Sequence, residues 1–356
     1  MKIYTCGNCS NPLYFENSTC LNCNLPVGFS PDQEKMIALK KENEADTFRE
    51  IRICRNKYKF CENHQFGVCN WLVPVKEEES FCKACRLNKT IPPLAEEDAH
   101  KKWRKIEKAK LRMVYSLIRL NLPVQPKKDE DDITDPGLAF DFLSQQKSEN
   151  PVLTGHANGL VTINIEEANE LEIVKNKIDF GERYRTLLGH FRHEIGHYYW
   201  DILIKENQQN LTKFRSLFGD EQLDYQTGIE SYYKNGAPQN WAETFISQYA
   251  SAHPWEDWAE SWAHYLHIMD TLETASYFNI AIKPEGKKRK FMGYGTIKNP
   301  YEIKQFKTIV NSWFPLSFAV NSLNRSMGYQ DFYPFVFSPI IIEKLSFIHQ
   351  VIRKNN

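Results

Sequence analysis

The chain of 356 residues has no cysteine beyond Cys85 and no net charge. It also has no apolar run near the roughly 18 residues that cross a membrane. Each absence excludes something. With 45 Lys plus Arg against 45 Asp plus Glu, the surface as a whole is not built for nucleic acid or anionic lipid, which leaves only a local patch for such a role. The missing membrane segment, and a start (Met1-Lys2-Ile3-Tyr4-Thr5-Cys6) without a signal-peptide core, set the expectation of a soluble, cytoplasmic protein with no membrane partner. With 42% hydrophobic and 25% charged residues, a packed core is available and wholesale disorder is not expected.

All nine cysteines are therefore crowded into the first quarter: Cys6, Cys9, Cys20, Cys23, Cys54, Cys61, Cys69, Cys82 and Cys85. An odd count without an export signal points away from a disulfide framework. Three Cys-x-x-Cys pairs occur where about 0.2 would arise by chance. Cys6, Cys9, Cys20 and Cys23 read as a zinc ribbon, two knuckles presenting a soft tetrahedral set of thiolates to a structural Zn²⁺. So short a segment has too little core to fold without that metal. A redox pair, the competing reading, needs only one Cys-x-x-Cys and a βαβ context that is missing. Cys82 and Cys85 form a second knuckle whose partners must come from Cys54, Cys61, His64 and Cys69. The preferred set for a second structural zinc is Cys61, Cys69, Cys82 and Cys85, with Cys54 a spare, core-filling thiol.

The spacing of apolar residues and breakers gives an α+β, mostly helical body behind the small four-cysteine modules. Residues 1–30 are the ribbon, 32–50 a charged, solvated helix, and 51–95 the second zinc module. Residues 96–126 are a connecting segment with a helix over Glu96–Leu122. Its first half holds Lys101, Lys102, Arg104, Lys105, Lys108, Lys110 and Arg112 against the single acid Glu107, read as a solvated face before a phosphate-binding stripe. After the acidic linker Lys127–Pro136 comes a catalytic domain over 133–283, opening with a hairpin in Val152–Ile165 turned at Asn158-Gly159. Helices are expected from about Tyr184 to Ile204 and over 211–233, 241–250, 254–278, 300–313 and 338–353. Residues 284–356 form an aromatic-rich helical extension that packs on the body or covers its cleft.

His193-Glu194-Ile195-Gly196-His197 lies inside the first of these helices. Residues four apart share a face, so both imidazoles can bind one metal, with Glu194 placed to take a proton from its water. Chance supplies about 0.02 such matches at this composition. An exposed His/Glu pair on a surface helix is the plain alternative. A hydrolytic zinc needs one more protein ligand and an open position. Residues 235–282 contain no Lys or Arg, yet in 253–267 the residues His253, Glu256, Glu260, His264 and His267 step along one helix face beside a core stripe of Trp255, Trp258, Trp262, Leu266 and Met269. Such an anionic stripe, half buried and without cations, suffers desolvation and self-repulsion that a bound Zn²⁺ relieves. Glu256 is the preferred third ligand, with Glu260 behind it to fix a histidine tautomer. Spacing alone leaves the reverse order, or His264, open, as well as a solvated acidic face.

A His-Glu-x-x-His helix followed by Glu256-Asp-Trp-Ala-Glu260 resembles the gluzincin metallopeptidases, in which the first of the paired acids ligates zinc. The segment also resembles the Glu-Phe-Phe-Ala-Glu of the lethal factor type, where a tyrosine seven residues ahead of the ligand assists the reaction. Tyr249 stands at that offset, which implies an oxyanion stabiliser or proton donor, against a half-buried helix tyrosine. Nearly the whole chain is similar to a bacterial family of zinc-binding metallopeptidases with N-terminal zinc ribbons. Cys69-Asn-Trp-Leu-Val73, Gly137-Leu-Ala-Phe-Asp-Phe-Leu143, Val152-Leu-Thr-Gly-His156, Tyr184–Trp200 and Ser251–Glu260 carry the likeness. Its Cys-x-Asn pattern matches Cys61-Glu-Asn63 and favours Cys61 over Cys54. The resemblance implies a zincin-like body and a zinc-dependent peptidase with one catalytic and two structural zinc ions.

A peptide or protein substrate follows from that reading. The Leu160–Ile165 strand, if it edges a sheet, offers an extended peptide a partner, and the ribbons recruit a substrate or a protein or nucleic-acid partner. The rival is a non-catalytic binding protein whose ribbons and basic helix contact nucleic acid or protein. Glu194 speaks against it, because a scaffold needs the histidines and not the base. A peptidase tethered to DNA-associated proteins joins the two.

Overall fold

The computed structural model describes residues 2–42, 46–52, 56–96, 98–129, 132, 134–145, 152–169, 186–286 and 292–354. They fall into two compact units, Ile3–Phe191 and Arg192–Asn356 with Lys2. The architecture is α+β.

The first unit starts with a two-residue hairpin, β1 (Tyr4–Thr5) and β2 (Pro12–Leu13), then a five-stranded antiparallel sheet in sequential order. Its strands are β3 (Val27–Ser30), β4 (Lys35–Lys41), β5 (Phe48–Glu50), β6 (Lys57–Phe60) and β7 (Leu72–Pro74). The last strand returns to the first through a parallel bridge between Phe29 and Trp71, so both cysteine modules share this one sheet. Where a helix was expected over 32–50, the described residues form the two strands β4 and β5. Their charges sit at the ends of β4 while Met36, Ile37, Ala38 and Leu39 are buried, and Ile37 and Leu39 pack with Tyr58 and Leu72. A continuous buried run of four apolar residues suits a strand with both faces covered.

Helix α1 spans Ala99–Arg119. The second sheet of this unit runs β10 (Gly155–Ala157), β11 (Leu160–Asn164), β9 (Ala139–Leu143), β8 (Asn88–Thr90). The hairpin forms as expected, with Asn158 and Gly159 both at positive φ (48° and 79°), the pairing a tight primed turn requires. The strand at Leu160 is not an edge, however. It pairs with β10 on one side and lies parallel to β9 on the other, so its backbone is already used and no peptide can add there.

Helix α2 (Leu187–Trp200) contains the division between the units, and one wide turn, Asp201–Lys205, extends it. Tyr184, the expected start, lies outside the described residues, as does Cys54. The second unit continues with α3 (Gln208–Phe218) and α4 (Tyr225–Asn235), where a single helix over 211–233 was expected. Gly219, at φ 106°, ends α3, and the Asp224 side chain accepts the Thr227 N–H at 2.6 Å to start α4. Residues 241–250 form no continuous helix, only short turns at Trp241–Glu243 and Tyr249–Ser251. Then come α5 (Pro254–Tyr277), a small pair β12 (Ala281–Ile282) and β13 (Tyr294–Thr296), α6 (Phe306–Ser326) and α7 (Pro339–Lys354). The extension at 284–356 thus lies in the same compact unit as α5. No helix among the described residues is long and apolar enough to cross a membrane.

Candidate metal centre

The centre is built where α5 crosses α2. Gly196 makes the crossing close: a Cβ there would stand 2.9 Å from the Cα of Ala259. The Trp258 indole N–H donates to the Gly196 carbonyl at 2.8 Å. Behind it, Trp258, Trp262, Leu266 and Met269 are fully buried, as their spacing requires. Helix α5 begins cleanly. The His253 ring accepts the Trp255 N–H at 3.1 Å, Pro254 fills the first turn, and Glu256 and Asp257 sit at the positive end of the helix dipole.

One ligand atom each from His193, His197 and Glu256 lie within 4.8 Å of one another, and all three residues are buried. Glu256 Oε2 is 2.9 Å from His193 Nε2, and Oε1 is 3.5 Å from His197 Nε2. The contact at Oε2 is not a hydrogen bond, and this oxygen is buried with no other partner. Two imidazole nitrogens facing one buried carboxylate form a donor set that could hold a zinc ion with a position left open. Electrostatics agree. Burial alone would lower the His193 pKa, yet Glu256 and Glu260 raise it well above the ordinary value, so the pocket calls for positive charge. Burial would likewise raise the Glu256 carboxyl, but His197 and His193 hold it well below the usual range, in the ionised form a ligand needs.

Glu260 stands behind the triad. Its Oε1 is 2.7 Å from His193 Nδ1, and its Oε2 accepts the Ser247 hydroxyl at 2.6 Å. Despite burial these bonds bring its carboxyl down to about 2. His264 is turned away from the triad towards the Tyr333 hydroxyl at 2.6 Å, and His267 faces Arg192 at 2.7 Å. Glu194 is 6% exposed on α2, and Tyr225 and Tyr249 both feel its charge. The Tyr249 ring lies 5.9 Å from that of His193. Burial and the Glu256 carboxylate raise its hydroxyl well above the ordinary tyrosine pKa, which keeps it a donor.

Sequence reasoning missed three groups here. Tyr225 donates its hydroxyl to Glu256 Oε1 at 2.7 Å, and nothing in a separation of 31 residues signals that contact. Ser247 sits in a stretch expected to be helical. Lys344 on α7 is 1% exposed and reaches Asp257 Oδ2 at 2.6 Å and the Thr244 carbonyl at 2.8 Å. It braces the residue next to Glu256 and the segment that carries Ser247 and Tyr249. A lone lysine amid apolar helix positions at Ile341, Leu345 and Ile348 was the available hint.

In the other unit the structure brings together two sulphur sets, Cys6, Cys9, Cys20, Cys23 and Cys61, Cys69, Cys82, Cys85. None of these eight forms a disulfide. In the second set the neighbouring thiols pull Cys61 down, while burial pushes Cys69 and Cys82 well up. A metal bound among them would hold all four as thiolates. The basic run on α1 is divided: Lys101, Arg104 and Lys108 are exposed, as a solvated face requires, while others are paired. Lys110 and Glu107 are wholly buried and paired at 2.6 Å, Lys102 pairs with Glu166 at 2.7 Å, and Arg112 with Glu16 at 2.5 Å. Glu107 Oε1 also lies 3.3 Å from Cys85 Sγ, placing the helix against the second sulphur set.

Uncharacterized proteins of Mycobacterium tuberculosis and Mycobacterium bovis are each 38% identical to this chain over 352 residues, covering 99% of it and 95% of their own length. No solved structure matches it. A zinc-ribbon domain model matches residues 3–96, the stretch that holds both sulphur sets. With the metallopeptidase model matching residues 99–351, donor triad included, the chain belongs to the family described as "Putative zinc-binding metallo-peptidase".

Proposed function

We propose that the protein is a zinc-dependent peptidase of gluzincin type with a zincin-like body, and that His193, His197 and Glu256 hold its catalytic zinc. The observation that carries this reading is that one donor atom each from His193, His197 and Glu256 lie within 4.8 Å of one another, with Glu256 Oε2 buried and without a hydrogen bond. Zinc bound there supplies Lewis acidity, polarising a scissile carbonyl and bringing the pKa of water near 7. Glu194 accepts the proton of the attacking water and passes it to the leaving amine. Glu260 takes the His193 Nδ1–H and fixes the tautomer that leaves Nε2 free to ligate. Tyr249 donates to the oxyanion that develops on the carbonyl. The two sulphur sets hold structural zinc, three ions in all, and the ribbons recruit a protein substrate or a partner. Eight cysteines in metal-binding sets and no disulfide among them support a reducing, cytoplasmic setting.

The test compares wild type with Glu194→Gln on a mixed peptide library by mass spectrometry, with metal counted in both. Cleavage confined to wild type, at equal zinc content, is the expected result. Equal zinc and no cleavage by either would transfer the protein to the rival class of ribbon-based binding proteins.

A further inference from the structure

We propose that Tyr225 is a positioning residue that reserves one oxygen of Glu256 for the metal by occupying the other. The two oxygens of this carboxylate live in different surroundings. Oε1 accepts the Tyr225 hydroxyl at 2.7 Å and lies 3.5 Å from His197 Nε2. Oε2 has no hydrogen bond and points at His193 Nε2. A carboxylate engaged through both oxygens would take two places around a zinc ion. Held to one, it leaves the open place that hydrolysis requires.

The tyrosine is placed so that its hydroxyl follows Glu256. It is the first residue of α4, set by the Asp224 cap. Its ring stands edge-on to His253 at 5.3 Å and to Trp255 at 6.3 Å, the residues that open α5 just ahead of the ligand. Helix α4 lies at the surface: none of its residues is buried, and Tyr225 itself is 40% exposed, although Gly228 sits close to the Ala252 carbonyl and the Tyr232 ring meets that of Tyr249 at 5.6 Å. The hydroxyl therefore reaches inward from a surface helix to a carboxylate that is 1% exposed. Outer partners of this kind are worth about 10–100-fold in metal affinity.

The inference rests on the metal reading of the preceding subsection. Its test is spectroscopic and uses the full chain loaded with Co²⁺. Subtracting the spectrum of His193→Ala removes the contribution of the cysteine sites and isolates this centre. In Tyr225→Phe, which loses only a hydroxyl, the released Oε1 joins the metal and raises the coordination number. The visible bands of the difference spectrum should then weaken at least twofold, and Zn²⁺ affinity at the centre should fall about tenfold. A folded Tyr225→Phe protein, judged by circular dichroism and melting, with unchanged bands and affinity would overturn the role of Tyr225 alone. A wild-type difference spectrum without bands would overturn the metal reading with it.

Discussion

The two kinds of candidate metal site in this chain are built in opposite order. Around the cysteines the metal sites cap a small sheet, and the knuckles themselves carry little core of their own. The hairpin β1–β2 has two residues per strand, and beyond the four sulphurs it is tied to the sheet by Asn70, which donates to the Phe15 and Asn17 carbonyls, and by the Phe15 ring against Phe29 and Trp71. Around His193 the frame comes first. A column of buried tryptophans, the Gly196 crossing and the Lys344 brace place the donors, and the metal enters a site already shaped. On the proposed reading, an ion in the first case would work as core and in the second as reagent. The ligand types follow: four thiolates close a site, while two imidazoles and a carboxylate leave it open.

The sharpest way to break this contrast is to remove a ligand from each kind of site. Cys82→Ser should unfold residues 3–96, seen as proteolysis confined to that stretch and loss of one zinc, because binding and folding free energy are the same quantity there. His193→Ala should also lose one zinc but keep its melting curve. A parallel collapse of both variants would dissolve the distinction.

Next in size is the reagent role itself. Glu194→Gln should lower peptide cleavage by about 10²–10⁴-fold while zinc content stays level, the range general-base removal gives. The frame can be attacked without touching a ligand. Lys344→Met leaves Asp257 buried without its cation, which should cost about 3–5 kcal/mol in chemical denaturation of the second unit. An unchanged midpoint would show that the extension braces nothing.

Acid tests the same frame. Burial brings His349 down to about 4, with its ring bonded to the Tyr265 hydroxyl at 2.9 Å and the Lys304 carbonyl at 3.1 Å. The unfolded chain, with an ordinary histidine near 6.5, binds more protons between the two values. Stability should therefore fall as pH drops from about 6.5 to 4, by roughly 3 kcal/mol. His349→Gln, which keeps a donor and an acceptor, should flatten that slope in melts across the window. Smallest is Gly196→Ala. Its Cβ meets the Ala259 backbone, so α2 and α5 must part by a few tenths of an ångström, for about 1–3 kcal/mol and weaker zinc retention on dialysis.

What could be read from the sequence follows the same division. Cysteine pairs, the His193/His197 spacing and the stripes of α5 are local patterns with periods of three or four, and the structure brings those residues together. The hairpin at Asn158-Gly159 was equally legible, since only a few residue types accept two positive φ angles in a row. Contacts across long separations were not. Tyr225 with Glu256, Ser247 with Glu260 and Lys344 with Asp257 depend on how segments pack, and no spacing rule reaches them. The strand at Lys35–Lys41 failed for another reason. Lysines at its ends gave it the composition of a solvated helix, while its buried middle is fixed by a sheet that both cysteine modules complete.

The Lys344 brace also has a meaning in time. A ribosome releases His193, His197 and Glu256 long before the strut that steadies them, since 87 residues separate Asp257 from its lysine. A nascent chain holds the donors but not their support, so the centre is stiffened only after the polypeptide around it has been made.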